Sequence, residues 1–144
     1  MQPTNDPAAP SKVLIVDDNL QNLELLEAYL EGAPDLAALR ATGGAEALDV
    51  VRRHHPDLIL LDIMMPRMSG YEVCKTLKSD PATSDIAVIM VTALNEFADV
   101  ERGTEVGADD FVSKPVNRHE LIARIRKILD VRRQKIGSAP SSTQ

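Results

Sequence analysis

Four short apolar runs, each giving out near a polar residue, do most to constrain this chain: Val13-Leu14-Ile15-Val16 before Asp17-Asp18, Leu58-Ile59-Leu60-Leu61 before Asp62, Val88-Ile89-Met90-Val91 before Thr92, and Phe111-Val112 shortly before Lys114. Runs this short, rich in β-branched residues, are expected as fully buried strands of a parallel sheet. Between them the apolar spacing becomes helical. Leu23, Leu26 and Leu30, joined by Leu25 and Tyr29, predict a helix over Leu20–Glu31, stopped by Gly32 and Pro34. Leu36–Ala41 reads as a second strand, Gly43-Gly44 as a turn into a helix over Ala45–Arg53, and Tyr71–Leu77 as a third helix. A fourth helix is expected over Glu96–Val106, although Gly103 and Thr104 are poor helix formers, and a fifth strand over Asp110–Val112. Asn117 and Glu120 have the spacing of a capping box ahead of a last helix that ends near Gln134. Alternating strand and helix units with short links require right-handed crossovers. The expected fold is therefore α/β: a flavodoxin-like, doubly wound (βα)5 unit with a five-stranded parallel sheet of order 2-1-3-4-5.

A chain of 144 residues has room for one domain with a real core. The proline-rich start, residues 1–11, reads as a disordered arm, residues 12–136 as the folded unit, and residues 137–144 as a flexible tail. No apolar stretch approaches the length of a membrane span, and the start lacks the pattern of a signal peptide, so a cytoplasmic protein without membrane attachment is expected. The single cysteine, Cys74, excludes an internal disulfide and reads as a buried helix residue. A net charge of −6 and scarce aromatic residues argue against direct nucleic-acid binding.

Ligands of open parallel sheets bind beyond the carboxyl ends of the strands. That rule brings Asp17, Asp18, Asp62, Thr92 and Lys114 into one crevice. Three carboxylates there repel one another unless a divalent cation intervenes, and an all-oxygen donor set suits Mg²⁺, with no histidine or cysteine placed to favour zinc. Lys114 and Thr92 supply donors for phosphoryl oxygens. Asp62, alone at the central strand, is the expected nucleophile, and Asp17 and Asp18 the metal-holding pair.

The same residues carry a resemblance. Val13 to Asn19 (VLIVDDN), Pro56 to Gly70 (PDLILLDIMMPRMSG), Val91-Thr92-Ala93 and Gly107 to Pro115 (GADDFVSKP) resemble the receiver domains of bacterial two-component response regulators, over about Lys12 to Arg133. The resemblance implies a phosphoaccepting signalling switch rather than a separate enzyme. Asp62 would be phosphorylated by a sensor histidine kinase or a histidine phosphotransfer protein. Asp18, Asp62 and the backbone carbonyl of Met64 would bind Mg²⁺, with Asp17 assisting through water, and Lys114 would contact the phosphoryl group ahead of a cis bond to Pro115. It further implies that the Thr92 hydroxyl turns toward the phosphoryl oxygens while Phe111 rotates into the vacated space, passing the signal to a downstream protein target through the fourth helix, fifth strand and fifth helix.

Other features have blander expectations. Pro66 and Gly70 shape their loop, and His54, His55 and His119 lie away from the site. Met64 and Leu94, if they match positions that tune hydrolysis, predict a long-lived phosphoryl group. The acidic fourth helix (Glu96, Asp99, Glu101, Glu105) and basic fifth helix (Arg118, Arg124, Arg126, Lys127, Arg132, Arg133, Lys135) are either solvated faces or the halves of a phosphorylation-promoted homodimer. Two other functions compete. A haloacid-dehalogenase-like phosphatase needs a DxD motif that Asp17-Asp18-Asn19 lacks, and a phosphorylation-independent binding module should have lost site residues that are all present. The ends at Met1 and Gln144 favour a stand-alone single-domain regulator over the receiver portion of a longer one.

Overall fold

The computed structural model of the chain describes residues 9–93 and 97–138, with the side chains of 97–99 and 135–138 left aside. Its elements alternate throughout: β1 (Ser11–Val16), α1 (Leu20–Glu31), β2 (Leu36–Ala41), α2 (Gly44–His54), β3 (Leu58–Asp62), α3 (Gly70–Ser79), β4 (Ala87–Thr92), α4 (Phe97–Glu105), β5 (Asp110–Ser113) and α5 (Arg118–Ser138). The five strands form one parallel sheet in the order β2-β1-β3-β4-β5, as the sequence predicts. The register places Val16 beside Leu61, and Asp62 beside Val91, so the strands end together.

Every residue of β3 and β4 is buried, because both strands lie inside the sheet and helices cover both faces. Residues of alternating parity feed two cores. Val13, Ile15, Leu58, Leu60, Ile89 and Val91 pack under α1 and α5, while Leu14, Val16, Ile59, Leu61, Val88 and Met90 pack under α2 and α3. The expectation of full burial fails for the fourth run, Phe111-Val112. In β5 only Val112 is buried, since an edge strand has a neighbour on one side alone.

Most element ends lie within one or two residues of the sequence reading, and two boundaries and one cap differ for a visible reason. Backbone pairing carries β1 back to Ser11, whose N–H reaches the Asp35 carbonyl at 2.9 Å. The last helix runs to Ser138 rather than Gln134, passing through Gly137. A lone glycine costs a helix about 1 kcal/mol but does not end it, and the stronger stop in the sequence is Pro140. At the start of α5 the Asn117 side chain accepts from the Glu120 N–H at 2.9 Å, but the Glu120 carboxylate pairs with Arg124. A reciprocal capping box forms instead at Ser69 and Glu72, which fixes the start of α3. Among the described residues, no helix is long and apolar enough to cross a membrane.

Candidate functional site

The candidate site is assembled by the ends of four strands, β1, β3, β4 and β5, and the loop after β3. Asp17 follows β1, and its N–H continues the ladder to the Ala41 carbonyl at 3.2 Å. Its Oδ1 accepts the Asn19 N–H at 2.9 Å, while Asn19 caps α1 by accepting from the Asn22 N–H at 3.0 Å. The Asp-Asp-Asn run is therefore one tight connection that points carboxylates across the sheet end before the helix begins. Asp62 closes β3 and is 5% exposed; Asp17 is 2% exposed, and Asp18 is open to solvent. Among the described residues these three form a cluster whose carboxylate oxygens lie within 4.8 Å of one another.

Lys114 reaches the cluster from beyond β5. Its N–H extends the ladder to the Thr92 carbonyl at 2.8 Å, and its bond to Pro115 is cis. The ammonium stands 3.4 Å from Asp17 Oδ2 and 3.3 Å from Asp62 Oδ1. Among the described residues, one ammonium for three carboxylates leaves the crevice short of positive charge. Burial pushes the Asp62 carboxyl up to about 6, with the neighbouring Asp17 charge adding to the rise, Lys114 opposing it and Asp18 contributing last. An all-oxygen cluster with this charge deficit fits a hard divalent cation such as Mg²⁺. Thr92 ends β4, one residue beyond the register partner of Asp62, and is buried.

The loop from Ile63 to Ser69 is folded back tightly on Asp62. The Gly70 N–H donates to the Ile63 carbonyl at 2.9 Å, and a Cβ at Gly70 would stand 2.4 Å from the Asp62 carbonyl oxygen. Only glycine allows that approach, which supports the reading of Gly70 as a loop-shaping residue. Arg67 sits at φ 69°, inside a turn closed by the Met68 N–H to the Pro66 carbonyl at 2.7 Å. Nothing in the sequence marks Arg67 for this role, because the residue type is wrong for a positive φ. Met64 lies in the same loop and is 64% exposed. Leu94 and Glu96 lie outside the described residues.

The remaining expected residues fall elsewhere. His54 and His55 are at the opposite end of β3 from Asp62, and the His55 ring meets the Ala82 carbonyl at 3.2 Å. His119 is exposed on α5. Cys74 is buried, and burial pushes its thiol up to about 11, as befits an inert packing residue. Phe111 is half-buried on β5, beside Met90 of β4.

Comparison with known proteins gives one answer. Residues 13–126 match the response regulator receiver domain family. The chain is 42% identical over 118 residues to a protein named "Probable transcriptional regulator ycf27" from Porphyridium aerugineum, covering 82% of this chain and 48% of that one. It is 44% identical over 118 residues to "Response regulator PleD" from Caulobacter vibrioides, covering 82% of this chain and 26% of PleD. The crystal structure of the signal receiver domain of a signal transduction histidine kinase from Syntrophus aciditrophicus superposes with a TM-score of 0.77 at 36% identity, over 83% of this chain and 90% of that one. The chain thus spans about half or less of the length of these curated relatives.

Proposed function

The chain belongs to the response regulator receiver domain family of two-component signalling, and from that premise we propose that it accepts a phosphoryl group on Asp62 from a sensor histidine kinase or a histidine phosphotransfer protein. The observation that supports this most is the charge imbalance at the strand ends, where among the described residues three carboxylates within 4.8 Å of one another are met by one ammonium, that of Lys114 at Asp17 and Asp62. Asp18, Asp62 and the Met64 carbonyl would hold Mg²⁺, with Asp17 assisting. Bound there, the ion supplies charge neutralisation for the phosphoryl oxygens and for the carboxylates themselves.

In the proposed reaction an Asp62 carboxylate oxygen attacks phosphorus, a new P–O bond forms, and the bond from phosphorus to the donor nitrogen breaks. Asp62 must be ionised to attack, so the forces that raise its pKa have to be offset by Lys114 and the added cation. The Lys114 ammonium is already 3.3 Å from Asp62 Oδ1 and would transfer its hydrogen bond to a phosphoryl oxygen. The Thr92 hydroxyl would take another.

Output through α4, β5 and α5 is part of the proposal, as is a switch made by Thr92 and Phe111. The symmetric homodimer draws less support. Arg124 is paired with Asp110 at 2.8 Å, Arg126 with Asp35 at 2.8 Å, and Arg132 with Asp85 at 3.2 Å, so much of the basic face of α5 is neutralised within its own chain. The phosphoryl-acceptor reading is tested by intact mass after incubation with acetyl phosphate. One Mg²⁺-dependent phosphoryl adduct is expected, absent from Asp62→Asn. An adduct of equal yield on the variant, or none on the native protein, would overturn it.

A further inference from the structure

Two adjacent glycines lead into α2, and their surroundings differ. Gly43 is extended backbone, φ −173°, that any residue adopts, and a side chain there would meet nothing within 4 Å. Gly44 is buried as the first residue of the helix, and a Cβ on it would stand 2.7 Å from the Met68 sulfur and 2.9 Å from both Cγ and Cβ of that residue. A new rotamer could withdraw the sulfur and Cγ, but Met68 Cβ is fixed to its backbone. A side chain at position 44 would therefore force residue 68 itself to move.

Met68 cannot move alone. Its N–H donates to the Pro66 carbonyl at 2.7 Å, the Gly70 N–H donates to the Ile63 carbonyl at 2.9 Å, and the capping box of Ser69 and Glu72 fixes the residue between. Two residues past Met68, Gly70 lies so close to the Asp62 carbonyl oxygen that no side chain fits there. The segment from Met68 to Gly70 is thus a short strut with a glycine contact at each end, one on α2 and one on the backbone of Asp62. Close-packed interiors pass a displacement on rather than absorb it. The Asp62 carboxylate belongs to the cluster whose oxygens lie within 4.8 Å of one another, so the strut ends at the cation site proposed above.

We infer that Gly44 is a positioning residue of that site: its missing side chain seats Met68 and, through the strut, sets where Asp62 stands relative to Asp17 and Asp18. This rests on the reading of the three carboxylates as a Mg²⁺ site. A methyl at position 44 displaces the strut and spoils the spacing. Mg²⁺ demands near-ideal octahedral geometry whereas Ca²⁺ accepts irregular ones, so the displacement penalises Mg²⁺ selectively. Met68→Gly removes all three colliding atoms and with them the penalty.

The test is a double-mutant cycle of Gly44→Ala and Met68→Gly, with Gly43→Ala as the control. It is read by the affinities of the folded protein for Mg²⁺ and for Ca²⁺ in titration calorimetry. Gly44→Ala is expected to weaken Mg²⁺ binding about tenfold, the scale on which groups supporting metal ligands act, and Ca²⁺ binding less than about threefold. In the Met68→Gly background the same change should shift Mg²⁺ affinity less than about twofold, and Gly43→Ala should leave it unchanged. The inference is overturned if Gly44→Ala leaves Mg²⁺ affinity unchanged, tightens it, weakens both cations equally as a general loosening of the fold would, or acts alike in both backgrounds. Met68→Gly by itself unseats the strut and should weaken Mg²⁺ binding several-fold, so an unchanged affinity there overturns the inference even where Gly44→Ala does not fold. Failure of the underlying reading looks different: the native protein binds no Mg²⁺, or binds it equally well after Asp62→Asn, and the inference falls with it.

Discussion

At the amino end of the sheet the Lys78 ammonium donates to the Ile86 carbonyl at 2.7 Å and to Asp109 at 3.1 Å, and Asp109 also accepts the Val88 N–H at 2.7 Å. Arg132 bridges Asp57 and Asp85 there, and Arg126 meets Asp35. At the carboxyl end, among the described residues, the one ammonium of Lys114 meets Asp17 and Asp62 of a cluster of three carboxylates that includes Asp18. Both ends are built on the same strands and both hold partly buried charge. They differ in whether the charges are matched. Matched charge ties loops to the sheet, whereas unmatched charge costs stability and creates demand for a counter-ion.

The comparison breaks first if the amino end proves dispensable. Lys78→Met removes the partner of Asp109 and of the Ile86 carbonyl at a site 19% exposed, and should lower stability by about 2–3 kcal/mol in urea denaturation. A loss near zero would mean that this network is only decoration. The carboxyl end should respond with the opposite sign. Because the Asp62 carboxyl is raised from 3.8 to about 6 in the folded protein, the unfolded chain ionises first as pH rises through that window, and stability falls across it. Above pH 6 the penalty is nearly complete, so Asp62→Asn should stabilise the metal-free protein by about 3 kcal/mol at pH 7 and leave it unchanged near pH 3. A destabilised variant at pH 7 would sink the claim of unmatched charge.

The third effect is smaller and depends on the cation. Mg²⁺ at ten times its dissociation constant should stabilise the native protein by about 1.4 kcal/mol, and Asp62→Asn much less, in thermal melts at constant ionic strength. Equal stabilisation of both would place the ion elsewhere. The smallest effect probes backbone rather than charge. Arg67→Gly relieves the positive φ of 69° and should gain about 0.5 kcal/mol without altering the pH profile, a loss of stability being the contrary result.

The contrast between the ends also explains what could be seen in the sequence. The strands were legible because an inside strand of a parallel sheet needs apolar residues at every position, and β3 and β4 are buried throughout. Asp17, Asp18, Asp62, Thr92 and Lys114 were legible because each directly follows such a run or lies within two residues of one. Phe111 misled as part of a buried run, since edge position is a property of topology and not of the local pattern. The amino-end network was invisible: Lys78 and Asp109 are 31 residues apart, and Arg132 and Asp57 75, with no motif linking them. Arg67 at positive φ and the contact of Gly103 with Phe111 arise from tertiary packing that overrides residue preference. The Ser69–Glu72 capping box, by contrast, stood in plain view as an S-x-x-E spacing before an apolar helix.

The most direct test of the central claim is to locate the phosphoryl group itself. After acetyl phosphate and Mg²⁺ treatment, borohydride reduction converts an aspartyl phosphate to homoserine, and peptide mass spectrometry identifies the converted position. Conversion is expected at Asp62 alone, abolished by chelating the Mg²⁺. Conversion at Asp17 or Asp18, or at Asp62 without any divalent cation, would contradict it.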